Sequence, residues 1–429
     1  MSISIPTASI PTASRRAPTF PSETHPLASR RLRVVIAADT FPPDINGAAR
    51  FARDHAVRLS RRGHEVHVIA PTVSFTPTSG EIETIDGQQI RVHRLRSIRL
   101  PRHEWARIPP PWDVRRQARR ILGAVRPDVV HLQSFVDIGR GVAHEAHDRA
   151  IPIVATNHVM PDNLASIRGL PPRMVPLLAR MAWRLASSVY SRADIVTSPT
   201  PIAAGYLQRN TAISAVMPVS CGVDLDRFSA KHAKPEQTRL LFVGRLDPEK
   251  DVATLVRAFA LLPPELGAQL DIVGGGSERA ALGSLAAQLR IADRVKFHGR
   301  VSDGQLETLH HLATVFVMPS RAELQSIATL EALASGTPVV LADAMALPHL
   351  ADDGVEGYLV PPGDAAGFAR RITSIIALSE QDYRTMSAHA VARAAQHEAG
   401  AIVRQYEVLY EDAEARRSAI PAPRAGRLR

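Results

Sequence analysis

Short apolar runs recur along the chain, roughly one helix length apart. Val34–Ala38, Val66–Ala70, Val129–Gln133, Ile151–Thr156 and Asp194–Ser198 lie in the first half. Leu240–Gly244, Leu270–Val273, Val295–Gly299, Val315–Met318 and Val339–Leu341 lie in the second. Runs this short, rich in β-branched residues and bounded by polar, glycine or proline positions, predict strands buried on both faces of parallel sheets. Between them the apolar period changes to three or four. Phe51, Ala52, Val57 and Leu59 predict a helix over about 48–62 that stops at Gly63, and Val114, Ala118, Ile121, Leu122 and Val125 predict a second. Further helices start at Gly139 and Gly141, run through about Asn210, and end near Leu262. From Ser326, the residues Ile327, Ala328, Leu330, Leu333 and Ala334 form one apolar face that Gly336 and Pro338 terminate. A last helix is predicted over 402–415, with Tyr406, Leu409 and Tyr410 along it.

Strand, glycine-bearing turn, helix and strand repeat as βα units on either side of an aperiodic stretch around Cys221–Phe228 and a polar one, Lys231–Gln237. The predicted class is α/β: two Rossmann-like doubly wound domains whose sheet edges face each other across a cleft. A chain of 429 residues is too long for one ordinary core and agrees with that division. The expected boundaries are a tail over 1–31, a first domain over 32–215, a linker over 216–238, a second domain over 239–395, a helix over 396–417 and a tail over 418–429. The first tail has no apolar core of a secretory signal, and no run approaches the length needed to span a bilayer.

The single cysteine, Cys221, leaves no internal disulfide and fits a reducing, cytoplasmic compartment. The formal net charge of +10, concentrated as arginine in the first 130 residues, admits nucleic acid, an anionic membrane or a phosphorylated small molecule as partner. No nucleic-acid module or zinc spacing is present, so nucleic acid is the weakest of the three. Arg115, Arg116, Arg119 and Arg120 flank the apolar face of the second helix. That pattern suits a helix lying on anionic lipid, and more often marks one packed on a sheet with a solvated basic face.

Candidate chemistry gathers at the predicted carboxyl edges. Glu323 precedes the helix that begins near Ser326, and Glu331 lies within it. Carboxylates so far apart cannot share a proton or a metal, but they can hold two ends of one elongated ligand, with helix N-terminal amides facing an anion between them. The alternative is a surface glutamate and a charge complement to the helix end. Gly47, in the first turn, lets a phosphate or sugar approach, or serves the turn alone; the G-x-G-x-x-G dinucleotide fingerprint is absent. His131 and His158, at or beyond strand ends, are polar candidates or structural histidines.

Glu323-x7-Glu331 before Ala334-Ser335-Gly336-Thr337-Pro338-Val339-Val340, with Gly244-Arg245-Leu246 and Glu249-Lys250, resembles family four of the retaining GT-B glycosyltransferases. Phe41-Pro42-Pro43 with Gly47, Arg62-Gly63-His64-Glu65-Val66, and Gly222-Val223-Asp224 with Phe228 extend the likeness from about Leu32 to Glu411. The resemblance implies a nucleotide-sugar donor held mainly by the C-terminal domain, an acceptor held mainly by the N-terminal one, and a final helix that crosses back. It implies that Arg245 and Lys250 grip the diphosphate, with no metal or other cofactor, and that Glu331 binds ribose. Glu323 would face the donor sugar, and the amides of Leu324, Gln325 and Ser326 would lie near sugar and phosphate. The base would sit near His298–Val301, Gly244 would be among the donor-binding residues, and Gly47 would approach the diphosphate from the opposite domain. The catalytic set expected is Glu323, Arg245 and Lys250, with His158 and His131 as polar candidates.

Two positions depart from the family pattern. Leu324-Gln325-Ser326 contains no glycine, and Gln133 stands where some relatives carry a catalytic histidine. Within the family, His131-Leu132-Gln133, Thr156–Pro161 and Glu323–Ser326 are most similar to the glycolipid glycosyltransferases that use diacylglycerol and related acceptors. With the basic first half, that likeness implies hexose transfer from a UDP- or GDP-sugar to a lipid such as diacylglycerol or a phosphoinositide, at the inner face of the cytoplasmic membrane. A soluble acceptor, such as a sugar phosphate, is the alternative. A non-catalytic nucleotide-sugar or nucleic-acid binding protein is the alternative of another class.

Overall fold

A computed structural model describes residues 30–419 apart from 45, 73–75, 100–106, 162–172, 229 and 232. The expected tails therefore lie outside the described residues, except that 30–31 lead into the first strand and Ser418 and Ala419 close the last helix. The first half runs β1 (Arg33–Ala37), α1 (Gly47–Arg61), β2 (Glu65–Pro71), β3 (Thr78–Ile85), β4 (Gln88–Leu95), β5 (Ile98–Arg99), β6 (Arg107–Ile108) and α2 (Pro111–Val125). It continues with β7 (Val129–Leu132), α3 (Asp137–Asp148), β8 (Ile153–Thr156), α4 (Val175–Tyr190), β9 (Ile195–Ser198), α5 (Pro201–Asn210) and β10 (Met217–Pro218). The second half runs β11 (Arg239–Val243), α6 (Val252–Ala260), β12 (Gln269–Val273), α7 (Arg279–Gln288), β13 (Val295–Gly299), α8 (Asp303–Leu312), β14 (Val315–Met318) and α9 (Ile327–Ala334). It closes with β15 (Val339–Ala342), β16 (Gly357–Val360), α10 (Ala365–Ile376), α11 (Glu380–Ala395) and α12 (Ala399–Ala419).

The strands form two large sheets. One has eight strands in the order β10-β9-β8-β7-β1-β2-β4-β3, parallel throughout except for the antiparallel β3–β4 hairpin. The other has six strands, all parallel, in the order β13-β12-β11-β14-β15-β16. Neighbours out of sequence order mean that helices cross over on the faces, which is why the central strands read as continuous apolar runs. Side-chain caps fix where helices begin: Asn46 accepts from Ala49 N in α1, Ser302 and Gln305 form a capping box on α8, and Ser326 accepts from Thr329 N in α9.

The chain passes between the domains twice. Met217–Pro218 still pairs with β9, and Val219 and Cys221 pack in the first domain's core, so the crossing begins nearer Ser220 than residue 216. The return passes beside it: Val223 N donates to His397 O at 2.8 Å, and Ala399 N donates to Val223 O at 3.0 Å. Helix α12 then buries Ile402, Val403, Tyr406, Leu409, Tyr410 and Ala413 against β1, β2, β7 and α1 of the first domain. No helix among the described residues is long and apolar enough to cross a membrane.

Candidate functional site

The site lies where loops at the carboxyl edge of the second sheet meet the first domain. After β11 the chain turns through Gly244 and Arg245 into a tight helical turn over Pro248–Lys250. It lies against the loop after β12: Leu246 N donates to Gly275 O at 2.9 Å, and Ser277 N to Asp247 Oδ1 at 3.2 Å. This closeness requires glycine. A Cβ on Gly274 (φ +123°) would stand 1.9 Å from Gly244 O, and one on Gly276 (φ +158°) 2.5 Å from Leu246 O.

The loop after β14 locks onto the same turn. Arg321 N donates to Glu249 O at 2.9 Å, Ser320 Oγ donates to the same carbonyl at 3.2 Å, and the Arg321 guanidinium pairs with Asp251 at 2.8 Å. Lys250 Nζ thereby reaches Glu323 Oε1 at 2.5 Å, with both side chains largely shielded from solvent. Arg245 is beside them but engaged elsewhere, with Asp247 at 2.5 Å and Glu249 at 2.6 Å.

Leu324 and Gln325 use their side chains to fasten this loop to the first domain and the crossing segment. Leu324 packs with Met160 and Ala203, and its carbonyl accepts from Thr200 Oγ1 at 3.0 Å. Gln325 Oε1 accepts from Cys221 N at 2.7 Å, and Ser326 caps α9. The amides of Leu324, Gln325 and Ser326, which lead into the start of α9, make no hydrogen bond among the described residues. Gly47 opens α1 directly opposite: a Cβ there would meet Ile327 Cδ1 at 3.9 Å, an ordinary contact. Val301 lies between β13 and α8 and packs on the second domain's core.

Glu331 stands apart from the Lys250–Glu323 pair. It is 2% exposed, and its Oε1 meets Arg50 Nη2 of α1 at 2.6 Å. His310 Nε2 of α8 lies 3.6 Å from Oε2. Burial opposes ionisation of Glu331, but Arg50 and then His310 outweigh it and hold the carboxyl below its usual range. The pairing with Arg50 has no sequence signal, because the partners sit in different domains.

The two histidines separate. His131 is fully buried, with Nδ1 2.8 Å from Tyr410 Oη and Nε2 2.7 Å from Thr156 Oγ1. Burial, then His55 and His158, push its pKa well below 6.5. As a polar candidate it is engaged inside the first domain: Nδ1 ties α12 to β7 and Nε2 ties β7 to β8. His158 is only partly buried; its Nε2 pairs with Gln133 Oε1 at 2.9 Å, its ring lies 4.8 Å from that of Phe51, and burial lowers it to about 4. Gln133 Nε2 and Asn157 Nδ2, at the ends of β7 and β8, are buried donors with no partner among the described residues. Near the same edge the sequence reading missed Asp137, which burial and then Asp39 raise to about 6.

Comparison with known proteins decides what this cleft belongs to. Residues 45–227 match the family described as Glycosyltransferase Family 4, and residues 224–393 match Glycosyl transferases group 1. A GDP-mannose-dependent alpha-mannosyltransferase of Mycolicibacterium smegmatis is 32% identical over 327 residues, 73% of this chain and 80% of that protein. The chain belongs to the GT-B glycosyltransferases. An alpha-monoglucosyldiacylglycerol synthase of Streptococcus pneumoniae is 25% identical to this glycosyltransferase over 83% of the chain and 81% of its own length. The sucrose-phosphate synthase of Thermosynechococcus elongatus shares the fold, with a TM-score of 0.76 at 22% identity over 90% of this chain and all of that one. In this glycosyltransferase the motif residues of the second domain thus form two separate groups, Lys250–Glu323 at the loop tips and Glu331 deeper in the cleft beneath Arg50.

Proposed function

We propose that the enzyme transfers a hexose, with retention of anomeric configuration and without a metal, from a nucleotide-diphosphate sugar to a membrane lipid such as diacylglycerol or a phosphoinositide. The observation that carries the donor half is the 2.5 Å contact of Lys250 with Glu323 beside the unbonded amides at the start of α9. In the reaction the bond from the anomeric carbon to the diphosphate breaks, one to the acceptor oxygen forms, and the acceptor's hydroxyl proton leaves with the departing diphosphate. The departing diphosphate gains negative charge, which Lys250, Arg245 and the α9 amides are placed to stabilise. Glu323 orients sugar hydroxyls and holds Lys250, while Glu331 receives the ribose. Among donors GDP-mannose is the first to try, because the M. smegmatis relative depends on it.

Lys250→Ala and Glu323→Gln, verified as folded by thermal melting, should each lose at least about a hundredfold in transfer, the scale seen for removing one charge-stabilising donor. Transfer by the parent enzyme should persist in EDTA. A donor panel incubated with a membrane lipid extract and read by mass spectrometry measures this; undiminished transfer in both variants rules out the site, and loss in EDTA rules out metal independence.

The lipid half rests on α4 rather than on α2, where the sequence pointed. In α2, Arg115 and Arg119 pair with Glu145 of α3, Arg115 also with Asp148, and Arg116 with Asp113, so much of that basic face is neutralised. Helix α4 turns Met174, Leu177 and Met181 outward, at 42%, 50% and 55% exposure, on the same side as the exposed Arg173, Arg180 and Arg184. No acidic residue occurs between Arg173 and Arg192, and none of these three arginines has an ion pair among the described residues. An apolar stripe flanked by unpaired cations is the surface that anionic lipid binds.

A further inference from the structure

We propose that Arg50 is a positioning residue for the donor nucleoside, acting from the N-terminal domain through Glu331. The proposal rests on the assignment of Glu331 to the ribose and goes beyond it. A cavity of about 250 Å³ opens between α1, residues 222–228, the start of α8 and α9, with Glu331 and Ile327 on one wall and Arg50, Asp54 and Arg58 on the other. Within the C-terminal domain the closest titratable neighbour of Glu331 is His310, which is fully buried and which burial keeps largely neutral. A buried carboxylate without a nearby cation is strongly disfavoured as an anion. The cation in direct contact with Glu331 is supplied by the other domain, at 2.6 Å, with Arg227 adding a weaker favourable charge from the cavity wall. Asp54, one turn along α1, lies 3.9 Å from Arg50 Nε and braces the guanidinium from behind.

The geometry divides the work of the carboxylate. Oε1 is taken by Arg50, while Oε2 has only His310 at 3.6 Å, beyond hydrogen-bond length. A vicinal diol donates hydrogen bonds best to an ionised carboxylate whose orientation is already fixed. Arg50 supplies both conditions, so nucleotide affinity is tied to how the first domain sits on the second.

Calorimetric titration with GDP and with UDP, together with steady-state kinetics, tests this on the full chain. Arg50→Ala should weaken binding of whichever nucleotide the wild type binds by about ten- to a hundredfold. Donor KM should rise by a similar factor, with kcat at saturating donor within about threefold. Arg50→Lys, which keeps the charge but not the fork, should recover part of the affinity. On a Glu331→Gln background the same Arg50→Ala change should have little further effect, because there is no anion left to position. A folded Arg50→Ala enzyme with unchanged affinity, or with an equal loss on the Glu331→Gln background, overturns the proposal, and a lowered melting temperature alone does not support it. Wild-type protein that binds neither nucleotide overturns the donor-site reading itself, and this proposal with it.

Discussion

His55 and His131 are buried with Phe51, Tyr406 and Tyr410, the partly buried His158 packs on Phe51 beside them, and burial lowers His55 to about 3 and His158 to about 4. The folded-state pKa of each lies below the roughly 6.5 of an unfolded histidine. As pH falls, the unfolded chain therefore takes up protons first. Stability from these groups is complete above about pH 6.5 and declines toward pH 4, by up to about 1.4 kcal/mol per histidine per pH unit. Glu331 and Glu407, both held below the usual range, add a loss of the same sign at lower pH. Denaturant midpoints should fall between pH 7.5 and 5. His131→Leu should cost about 1–3 kcal/mol at pH 7.5, by removing one buried hydrogen bond each from Tyr410 and Thr156, while flattening the pH dependence. An unchanged slope in that variant would show that His131 already titrates normally.

The loops after β11 and β12 behave as one element because they are stitched backbone to backbone. Gly274→Ala would drive a Cβ into Gly244 O, whereas a Cβ on neighbouring Gly275 meets nothing within 4 Å. The first substitution should destabilise by more than about 2 kcal/mol and displace Arg245 and Lys250 from the donor; the second should be near neutral. Comparing melting temperature and nucleotide binding of the two variants isolates the loop packing. At this scale much was readable beforehand. Strands β11, β12, β14 and β15 are apolar runs bounded by turn residues, so their pattern located them, while β13 is the mixed edge strand Val295–Gly299. The β3–β4 hairpin was not readable, because β3 is a largely exposed edge strand without a clean apolar alternation. Glu323 is legible by its spacing from Glu331 and Lys250 through the family motif, and the Lys250 and Glu323 side chains touch. The roles of Leu324 and Gln325 as interdomain fasteners, and of Arg50 beside Glu331, depend on tertiary contacts that no local pattern encodes.

For the molecule as a whole, the membrane-facing reading makes the sharpest demand. The protein should float with phosphatidylglycerol vesicles and not with phosphatidylcholine ones, and should be released by salt, as screening requires. Leu177→Asp combined with Met181→Asp should abolish flotation without altering nucleotide binding. No flotation of the parent protein would favour a soluble acceptor such as a sugar phosphate. Domain closure over a donor has a further constraint. The outgoing and returning segments lie side by side, joined through Val223 to His397 and Ala399, and Gly222 (φ +78°) lets them nest at a spacing where a Cβ would stand 3.1 Å from Ala399 Cα. Two adjacent threads resist twisting where a single thread would swivel freely. The halves should therefore swing like a door on paired pins, returning Arg50 to the same carboxylate each time the cleft shuts.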